Sequence, residues 1–411
     1  MKKLAANYEL AQEILDLTEK EIKKMPPVNI LLVGKSGVGK STLINSVFRE
    51  QLADTGIGKP VTKHLKKISK EGIPINLYDT QGLELSEAVQ QKIVSEFFDL
   101  IEQNKGTKEE IHVCYYCIQA TSGRIEDSEI SLIESLSTKV PVIIVLTMSI
   151  GNEAGVFADY IRELDLPIAG IQNVLAQAYM ISDDITLPAY GLKELIQKTM
   201  TILPSNTKKA FTNAQLVDID EKVKAARRWM KRYILTTFGV GFTPIPFSDA
   251  SILIPMQVTM MAHITAIFGV SINRATIVSV IGAVGGTGSA TFIGRSIVSN
   301  AFKFIPGVGT IVGGLISGAT ASLVTSALGH SYIQTLKFLA LHDQLDEQSS
   351  HIIIELMRKE FNKYIHANRG QLEDHLDQLE TKNERTDNRG WLKKIQSLGD
   401  KIKNFKKIRK R

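Results

Sequence analysis

Residue types that bind phosphate occur close together near the start of the chain. The segment 34–41 reads G-K-S-G-V-G-K-S, which is the spacing of a phosphate-binding loop. An apolar run at 30–33 predicts a buried strand before this loop, and the residues from Thr42 onward predict a helix after it. Because strand, loop and helix occur in the required order, the pattern predicts a nucleoside triphosphate site. A glycine turn without a ligand is the alternative.

Each residue type in this loop has a chemical task. Glycine reaches φ values that other residues avoid, so successive main-chain N–H groups can turn toward phosphate oxygens. The N-terminus of the following helix attracts the same anion. Lys40 can reach the β- and γ-phosphates, and the Ser41 hydroxyl can bind Mg²⁺. The loop residues predicted to contact nucleotide are Gly34, Lys35, Ser36, Gly37, Val38, Gly39, Lys40, Ser41 and Thr42.

Two later stretches fit the same site. Asp79 and Gly82 form an Asp-x-x-Gly pattern directly after the apolar run 75–78. A carboxylate at a strand end can hold Mg²⁺ through water, and the glycine N–H can bind a γ-phosphate. Thr62, in a loop rich in Gly and Pro, can complete the metal shell, and an ordinary surface loop is the alternative. The sequence predicts a metal set of Ser41, Thr62 and Asp79, and a catalytic set of Lys40, Thr62 and Gly82.

Apolar strand candidates alternate with helical stretches between residues 28 and 203. This alternation is typical of an α/β fold with a mostly parallel sheet, helices on both faces, and ligands at the carboxyl ends of the strands. Cys114 and Cys117 point to opposite faces of one predicted strand, so neither a disulfide nor a metal site is expected there. The predicted strands span 29–34, 64–69, 75–79, 111–120, 141–147 and 174–182, and the predicted helices 40–49, 84–103, 127–136, 154–164 and 192–203.

The whole chain divides by composition and periodicity into six parts. They are an amphipathic N-terminal helix (1–27), the α/β domain (28–203), a linker with a polar helix (204–232), an all-α hydrophobic domain rich in glycine (233–336), amphipathic helices (337–390) and a basic amphipathic tail (391–411). We expect the N-terminal helix to pack on a neighbouring element.

The hydrophobic domain contains long stretches without formal charge. Asp249 carries the one formal charge between residues 233 and 273, and two later runs carry none. Such lengths can cross a bilayer, but breaks at residues such as Pro255 and Gly285 predict helical hairpins, with one long helix at 310–329. Two accounts stay open: a helical core that packs on itself, or a domain that inserts into or lies upon a membrane.

The net charge of +6 is distributed unevenly. Residues 391–411 hold nine Lys or Arg and one Asp, so the remaining chain sums to −2, and no nucleic-acid partner is expected. Apolar residues recur among these lysines at helical spacing, which favours a helix on an anionic membrane surface; a solvated or disordered tail is the alternative. The N-terminus lacks the apolar core of a signal peptide. We therefore expect cytoplasmic localisation, with membrane lipids as partners in peripheral or reversible association.

Three motifs together resemble an Era-type small GTPase domain over residues 28–203: the segment 34–45, the G-K-P-V-T loop at 58–62 and the D-T-Q-G turn at 79–82. The chain after residue 220 resembles the glycine-rich hydrophobic domain of unknown function in YcjF-like GTPases. The arrangement is more distantly similar to immunity-related and dynamin-like GTPases that work at membranes. The resemblance implies GTP and GDP as purine nucleotide ligands, Mg²⁺ as cofactor, GTP hydrolysis as the reaction, and a homodimer through the GTPase domain.

The chain departs from that family in two places. The family reads guanine with Asn/Thr-Lys-x-Asp after the fifth strand, whereas this chain has T-M-S-I at 147–150. Thr147 and Ser182, the latter at the end of the last predicted strand, are the remaining candidates for the base pocket. Leu83 stands where many relatives carry a water-orienting glutamine. We therefore expect slow turnover unless a partner or a second copy completes the site.

Two hypotheses about function follow from these patterns. In the first, the chain is a Mg²⁺-dependent GTPase switch whose phosphate-sensing loops control a membrane-associated helical domain. In the second, it is a membrane-perturbing or pore-forming protein whose insertion is gated by nucleotide binding.

Overall fold

The computed structural model describes most of the chain, with several gaps. The described residues are 2–49, 52–61, 65–80, 87–238, 250–270, 272–285, 318–342 and 349–383. Predictions that fall outside them concern Thr62, Gly82, Leu83, the first part of the long helix (310–317) and the basic tail at 391–411.

A seven-stranded sheet with the order β2-β3-β4-β1-β5-β6-β7 forms the centre of the first half of the chain. Its strands are β1 (Val28–Val33), β2 (Ile57–Pro60), β3 (Leu65–Lys70), β4 (Ile73–Thr80), β5 (Val113–Gln119), β6 (Val142–Thr147) and β7 (Gly170–Asn173). Strands β1, β4, β5, β6 and β7 pair in parallel, and the hairpins β2–β3 and β3–β4 are antiparallel. The predicted mostly parallel sheet is confirmed.

Successive side chains of the central strands enter two separate apolar cores. In β1, Ile30 and Leu32 pack on one face of the sheet, whereas Leu31 and Val33 pack on the other. All six residues of β1 are buried. This explains why the strand reads as a continuous apolar run, since a parallel sheet is covered on both faces.

Thirteen helices lie within the described residues. They are α1 (Lys2–Lys23), α2 (Lys40–Val47), α3 (Leu52–Thr55), α4 (Glu87–Asn104), α5 (Asp127–Ser137), α6 (Glu153–Glu163), α7 (Leu192–Ile202), α8 (Lys208–Ala214), α9 (Ile219–Phe238), α10 (Ala250–Phe268), α11 (Arg274–Gly285), α12 (Gly318–Leu341) and α13 (Ser349–Asn383). Helices α2, α3, α7 and α8 cover one face of the sheet, and α4, α5 and α6 cover the other.

A third core joins the first helix of the chain to the last ones. Ala11 and Ile14 of α1 are fully buried with apolar residues of α9 to α13, including Met261 and Ile333. The predicted packing of the N-terminal helix is confirmed, and its neighbours are the helices of the second half. Helices α10 and α12, which together carry one formal charge (Lys337), bury apolar side chains against each other here. Within the described part of the chain, no helix combines the length and the apolar character needed to cross a bilayer.

The last predicted strand, at 174–182, is wrong. The sheet ends instead with β7, which carries the polar residues Gln172 and Asn173 and therefore lacks a strong apolar signal. Residues Tyr179–Ser182 form a strand, β8, that pairs with β9 (Ile185–Leu187) in a separate exposed hairpin. The apolar residues of that hairpin read as a buried strand although they face solvent. The loop expected around residues 55–62 also contains β2.

Helix α10 runs through Pro255, so the expected break there is wrong. A proline within a helix costs about 3 kcal/mol, and burial of side chains such as Val258 and Met261 offsets that cost. Helix α11 extends to Gly285, where the described residues end, so the break expected at that position stays a prediction. Helix α12 begins at Gly318 among the described residues and ends at Leu341, beyond the predicted end at 329. Helix α13 is one long helix in the region expected to hold several.

The substitution Ile14→Ala tests the packing of α1 on the later helices. Because Ile14 is fully buried in the third core, its truncation should lower the free energy of unfolding by about 2–5 kcal/mol, measured by urea denaturation. Glu13→Ala is the matched control, because Glu13 lies exposed on the same helix, and it should change stability by less than about 0.5 kcal/mol. Equal effects of the two substitutions would contradict the observed packing.

Candidate functional site

The glycine-rich loop connects the end of β1 to the start of α2. Gly34, Gly37 and Gly39 have φ values of 147°, 80° and 93°, which L side chains rarely adopt. A Cβ on Gly34 would also lie 2.5 Å from the carbonyl oxygen of Cys117 on β5. Glycine is therefore required at position 34 by both conformation and space. Gly39 is the N-cap of α2, so the loop leads directly into a helix N-terminus.

The Lys40 side chain folds back over this loop. Its ammonium group donates hydrogen bonds to the carbonyl oxygens of Gly34 at 2.7 Å and Lys35 at 3.0 Å. Ser41 and Thr42 are exposed at the first turn of α2. The structure thus brings together a cation, a helix N-terminus and an exposed hydroxyl, as the sequence predicts for binding a triphosphate.

Lys35 anchors the loop to the neighbouring helix. Its ammonium lies 2.8 Å from a carboxylate oxygen of Glu126 and 3.5 Å from one of Glu129, both at the start of α5. Burial opposes the charge on Lys35, but the hydrogen bond to Glu126 and the charge of Glu129 outweigh it, so the pKa of Lys35 is raised. Sequence reasoning missed both glutamates, because they lie about ninety residues after the loop and belong to no recognised motif.

Thr147, predicted for the base pocket, makes a hydrogen bond to the phosphate loop. Its hydroxyl lies 2.5 Å from the carbonyl oxygen of Val38 and 3.2 Å from that of Ile118, and the residue is 3% exposed. The one hydroxyl proton is therefore shared between two main-chain acceptors. The side chain ties the loop to the ends of β5 and β6.

Asp79 lies at the end of β4, beside Leu32 of β1 and Lys66 of β3. Burial raises the pKa of its carboxyl group, and the charges of Lys40 and Lys66 oppose that increase. Among the described residues, its Oδ1 atom is buried without a hydrogen-bond partner. A buried carboxylate oxygen in this position costs free energy unless a donor or a cation satisfies it.

The donor chemistry at this edge of the sheet fits Mg²⁺. Magnesium prefers oxygen ligands, often one or two carboxylates together with substrate phosphates. The Asp79 carboxylate and the Ser41 hydroxyl follow two neighbouring parallel strands, β4 and β1, at the same edge of the sheet. Thr62 and Gly82, the other predicted residues, lie just outside the described residues, beyond the ends of β2 and β4.

The segment after β6 forms a constrained turn at the position where the Era-type resemblance implies the guanine-reading motif. Met148 has a positive φ of 48°, and the Ser149 N–H donates to the carbonyl of Val174. The Tyr190 hydroxyl donates to the Ser149 carbonyl at 3.0 Å. The turn is therefore held by main-chain contacts, and the carboxylate of the family motif is absent from the sequence, since Ile150 holds that position.

Ser182 does not lie where the base-pocket prediction requires. That prediction placed it at the carboxyl end of the last sheet strand, whereas it belongs to the exposed β8–β9 hairpin. The last sheet strand ends at Asn173. The two cysteines are free and buried, and the Cys117 carbonyl oxygen lies close to Gly34 of the phosphate loop.

Residues 29–148 match the family described as 50S ribosome-binding GTPase. Neuronal-specific septin-3 of Danio rerio is 26% identical over 188 residues, which cover 39% of this chain and 52% of that protein. Magnetosome membrane protein 22 of Magnetospirillum gryphiswaldense is 26% identical over 113 residues, 26% of this chain and 56% of that protein. The chain thus spans about half the length of these two relatives.

Among solved structures, the G domain of the T. maritima FeoB iron transporter is similar to 43% of this chain, with 98% of that domain covered. Its sequence identity is 19% and its TM-score 0.29, too low to add to the assignment. The matched family, the parallel sheet and the loop geometry agree that this segment is a P-loop GTPase domain.

The substitution Thr147→Val tests whether this side chain supports the loop or reads the base. It keeps the shape but removes the hydroxyl that binds the Val38 and Ile118 carbonyls. Leaving these acceptors unpaired costs about 1–3 kcal/mol, so we expect roughly 5- to 150-fold weaker nucleotide binding by calorimetry. The loss should be equal for GTP and ATP. A changed ratio of the two affinities would instead show contact with the base.

Proposed function

We propose that this chain is a Mg²⁺-dependent GTP-binding switch that hydrolyses GTP and controls the helical domain attached to it. One observation supports the proposal most directly. The Lys40 ammonium folds over a glycine loop that leads into a helix N-terminus, and its charge acts on the buried Asp79 carboxylate, whose Oδ1 has no hydrogen-bond partner among the described residues. A cation-bound polyphosphate would satisfy the ammonium, the loop N–H groups and the carboxylate together.

The residues of the site divide the work of catalysis among them. Main-chain N–H groups of the loop and the Lys40 ammonium stabilise negative charge on the β- and γ-phosphates. Asp79 and Ser41 would hold Mg²⁺, with Thr62 as the third proposed ligand, and the ion would neutralise part of the phosphate charge. Gly82 offers its N–H to the γ-phosphate. Water is the nucleophile.

We expect hydrolysis to be slow in the isolated chain. Leu83 occupies the position at which many relatives carry a water-orienting glutamine, and a leucine side chain has no group that can bind the attacking water. A partner, or a second copy of the GTPase domain, is the proposed source of the missing group. Slow hydrolysis suits a switch, because the GTP-bound form then persists long enough to be distinct from the GDP-bound form.

Guanine is the proposed base because of the family match over residues 29–148. The turn at 147–150 has no carboxylate to bind the guanine N1 and exocyclic amine. We therefore expect discrimination against ATP to be weaker than in a protein that carries the Asn/Thr-Lys-x-Asp motif.

Peripheral membrane contact through the basic tail completes the proposal. Residues 391–411 carry a net charge of +8, and each Lys or Arg near an anionic surface contributes about 1 kcal/mol. The buried side chains of the apolar helices α10 and α12 pack against other helices in the protein core. The tail is therefore the better-supported lipid-binding element.

Calorimetry on the intact protein with Lys40→Ala and Asp79→Asn tests the switch. We expect Lys40→Ala to remove detectable GTP binding, because it removes the cation over the loop. Asp79→Asn should make GTP affinity independent of Mg²⁺. That affinity should equal the affinity of the wild type after a chelator has removed the metal. Its melting temperature without metal should stay equal or rise, because the change removes a buried, unsatisfied carboxylate. Unchanged Mg²⁺ dependence in Asp79→Asn would overturn the metal assignment.

Deletion of residues 391–411 tests the membrane contact. In sedimentation with vesicles, the full chain should bind anionic phosphatidylserine-containing membranes at least tenfold more tightly than neutral ones, and the preference should weaken in high salt. The truncated chain should lose most of that preference while keeping its affinity for GTP. Equal binding of both chains to the anionic vesicles would remove the proposed role of the tail.

A further inference from the structure

Arg49 joins the GTPase domain to the helical domain at a buried position. It follows α2 by two residues and is 8% exposed. Its guanidinium donates to the carbonyl of Gly269 at 2.7 Å and to the side-chain oxygen of Asn213 at 2.9 Å. It also donates to the carbonyl of Gly72 in the β3–β4 turn. One side chain therefore touches the turn of a sheet hairpin, the α8 segment and the end of α10.

Lys222 of α9 adds a second buried cation to this junction. It is 1% exposed and donates to the carbonyls of Thr212 at 2.7 Å, Asn213 at 3.0 Å and Phe268 at 2.5 Å. These carbonyls belong to the last turns of α8 and α10, where the negative end of each helix favours a cation. Burial, and next the charge of Arg49, lower the pKa of Lys222 well below its ordinary range.

The junction leaves little room for adjustment. Gly269 has a φ of 63°, and a Cβ there would lie 2.3 Å from the Asn213 carbonyl oxygen. The Asn213 side-chain amide donates to the carbonyl of Ala266 on α10. The end of α10 is thus held close to α8, and the Arg49 guanidinium contacts both segments.

The β3–β4 hairpin connects this junction to the phosphate side of the sheet. Strand β3 begins three residues after Thr62, and β4 ends two residues before Gly82. The opposite end of the hairpin is the turn at Gly72, which Arg49 contacts. The eight residues of β4 span about 26 Å at roughly 3.3 Å per residue. In the sequence, positions 62 and 82 thus border one end of the β3–β4 hairpin, and Arg49 contacts its other end.

We propose that the β3–β4 hairpin and Arg49 transmit the nucleotide state to α10. This inference rests on the proposed function, because it requires that Thr62 and Gly82 respond to the γ-phosphate. A shift of the hairpin along its length moves the Gly72 carbonyl relative to the Arg49 guanidinium. Since the same guanidinium holds the Gly269 carbonyl, the shift changes the contacts at the end of α10.

A two-glycine insertion between Glu71 and Gly72 tests this coupling. Both residues are exposed, and no atom lies within 4 Å of a Cβ added at Gly72, so the longer turn should be tolerated. It separates the turn from Arg49 but leaves the contacts to Gly269 and Asn213 in place. The matched control is the same insertion before Gly106, an exposed turn with a similar φ of 74°.

The measurement is hydrogen–deuterium exchange of the full chain with GDP and with a non-hydrolysable GTP analogue. In the wild type and the control, we expect at least a threefold difference between the two nucleotides, both around residues 62–83 and in α10. The insertion before Gly72 should keep the difference at 62–83 and GTP affinity within about twofold, but lose the difference in α10.

Two outcomes overturn the inference and leave the switch intact. In one, the wild type responds at 62–83 but not in α10. In the other, the insertion variant keeps the full α10 response. A wild type that shows no nucleotide-dependent exchange at 62–83 would instead contradict the proposed function itself. The readout thus separates failure of the coupling from failure of the switch.

Discussion

The close approach of Gly34 to the Cys117 carbonyl determines the path of the main chain through the nucleotide site. A side chain at that position would collide with the neighbouring strand, so β1 can end beside β5 only with glycine there. From this contact the loop turns into α2, and Lys40 folds over it. The Thr147 hydroxyl and the Lys35 ion pairs hold the loop from two further sides. The phosphate-binding conformation is therefore supported by elements from across the sheet.

The second half of the chain uses apolar helices as a packed core. Helices α10 and α12 contain no acidic residue among their described side chains, and their apolar faces meet α1, α9 and α13. A buried pair of hydroxyls, Thr265 and Tyr332, lies 2.6 Å apart inside this core. Such a polar contact specifies one arrangement of helices whose other buried side chains are mostly apolar. Composition alone does not distinguish such a packed helical core from a membrane domain.

The features that sequence could predict are those determined by short stretches of chain. The phosphate loop, the Asp79 strand end and most sheet strands each depend on a few adjacent residues. Strand β7 was missed because its polar residues carry no alternation, and the exposed apolar hairpin after it gave a false signal. Pro255 predicts a helix break because proline destabilises a helix locally, but packing of α10 side chains against distant segments outweighs that cost. The buried roles of Arg49 and Lys222 could not be predicted from the sequence, since both side chains bind carbonyl oxygens of distant segments.

The burial of α1 among the later helices has a consequence for biosynthesis. Thr18 of α1 is within hydrogen-bonding distance of the Ala262 carbonyl, 244 residues further along the chain. At roughly 5–20 residues per second, a ribosome takes about 12–50 s to supply that partner. During this time the intervening sheet can form, while the apolar stripe of the first helix stays uncovered. The nascent chain thus carries an aggregation risk that ends only when translation reaches the final helices.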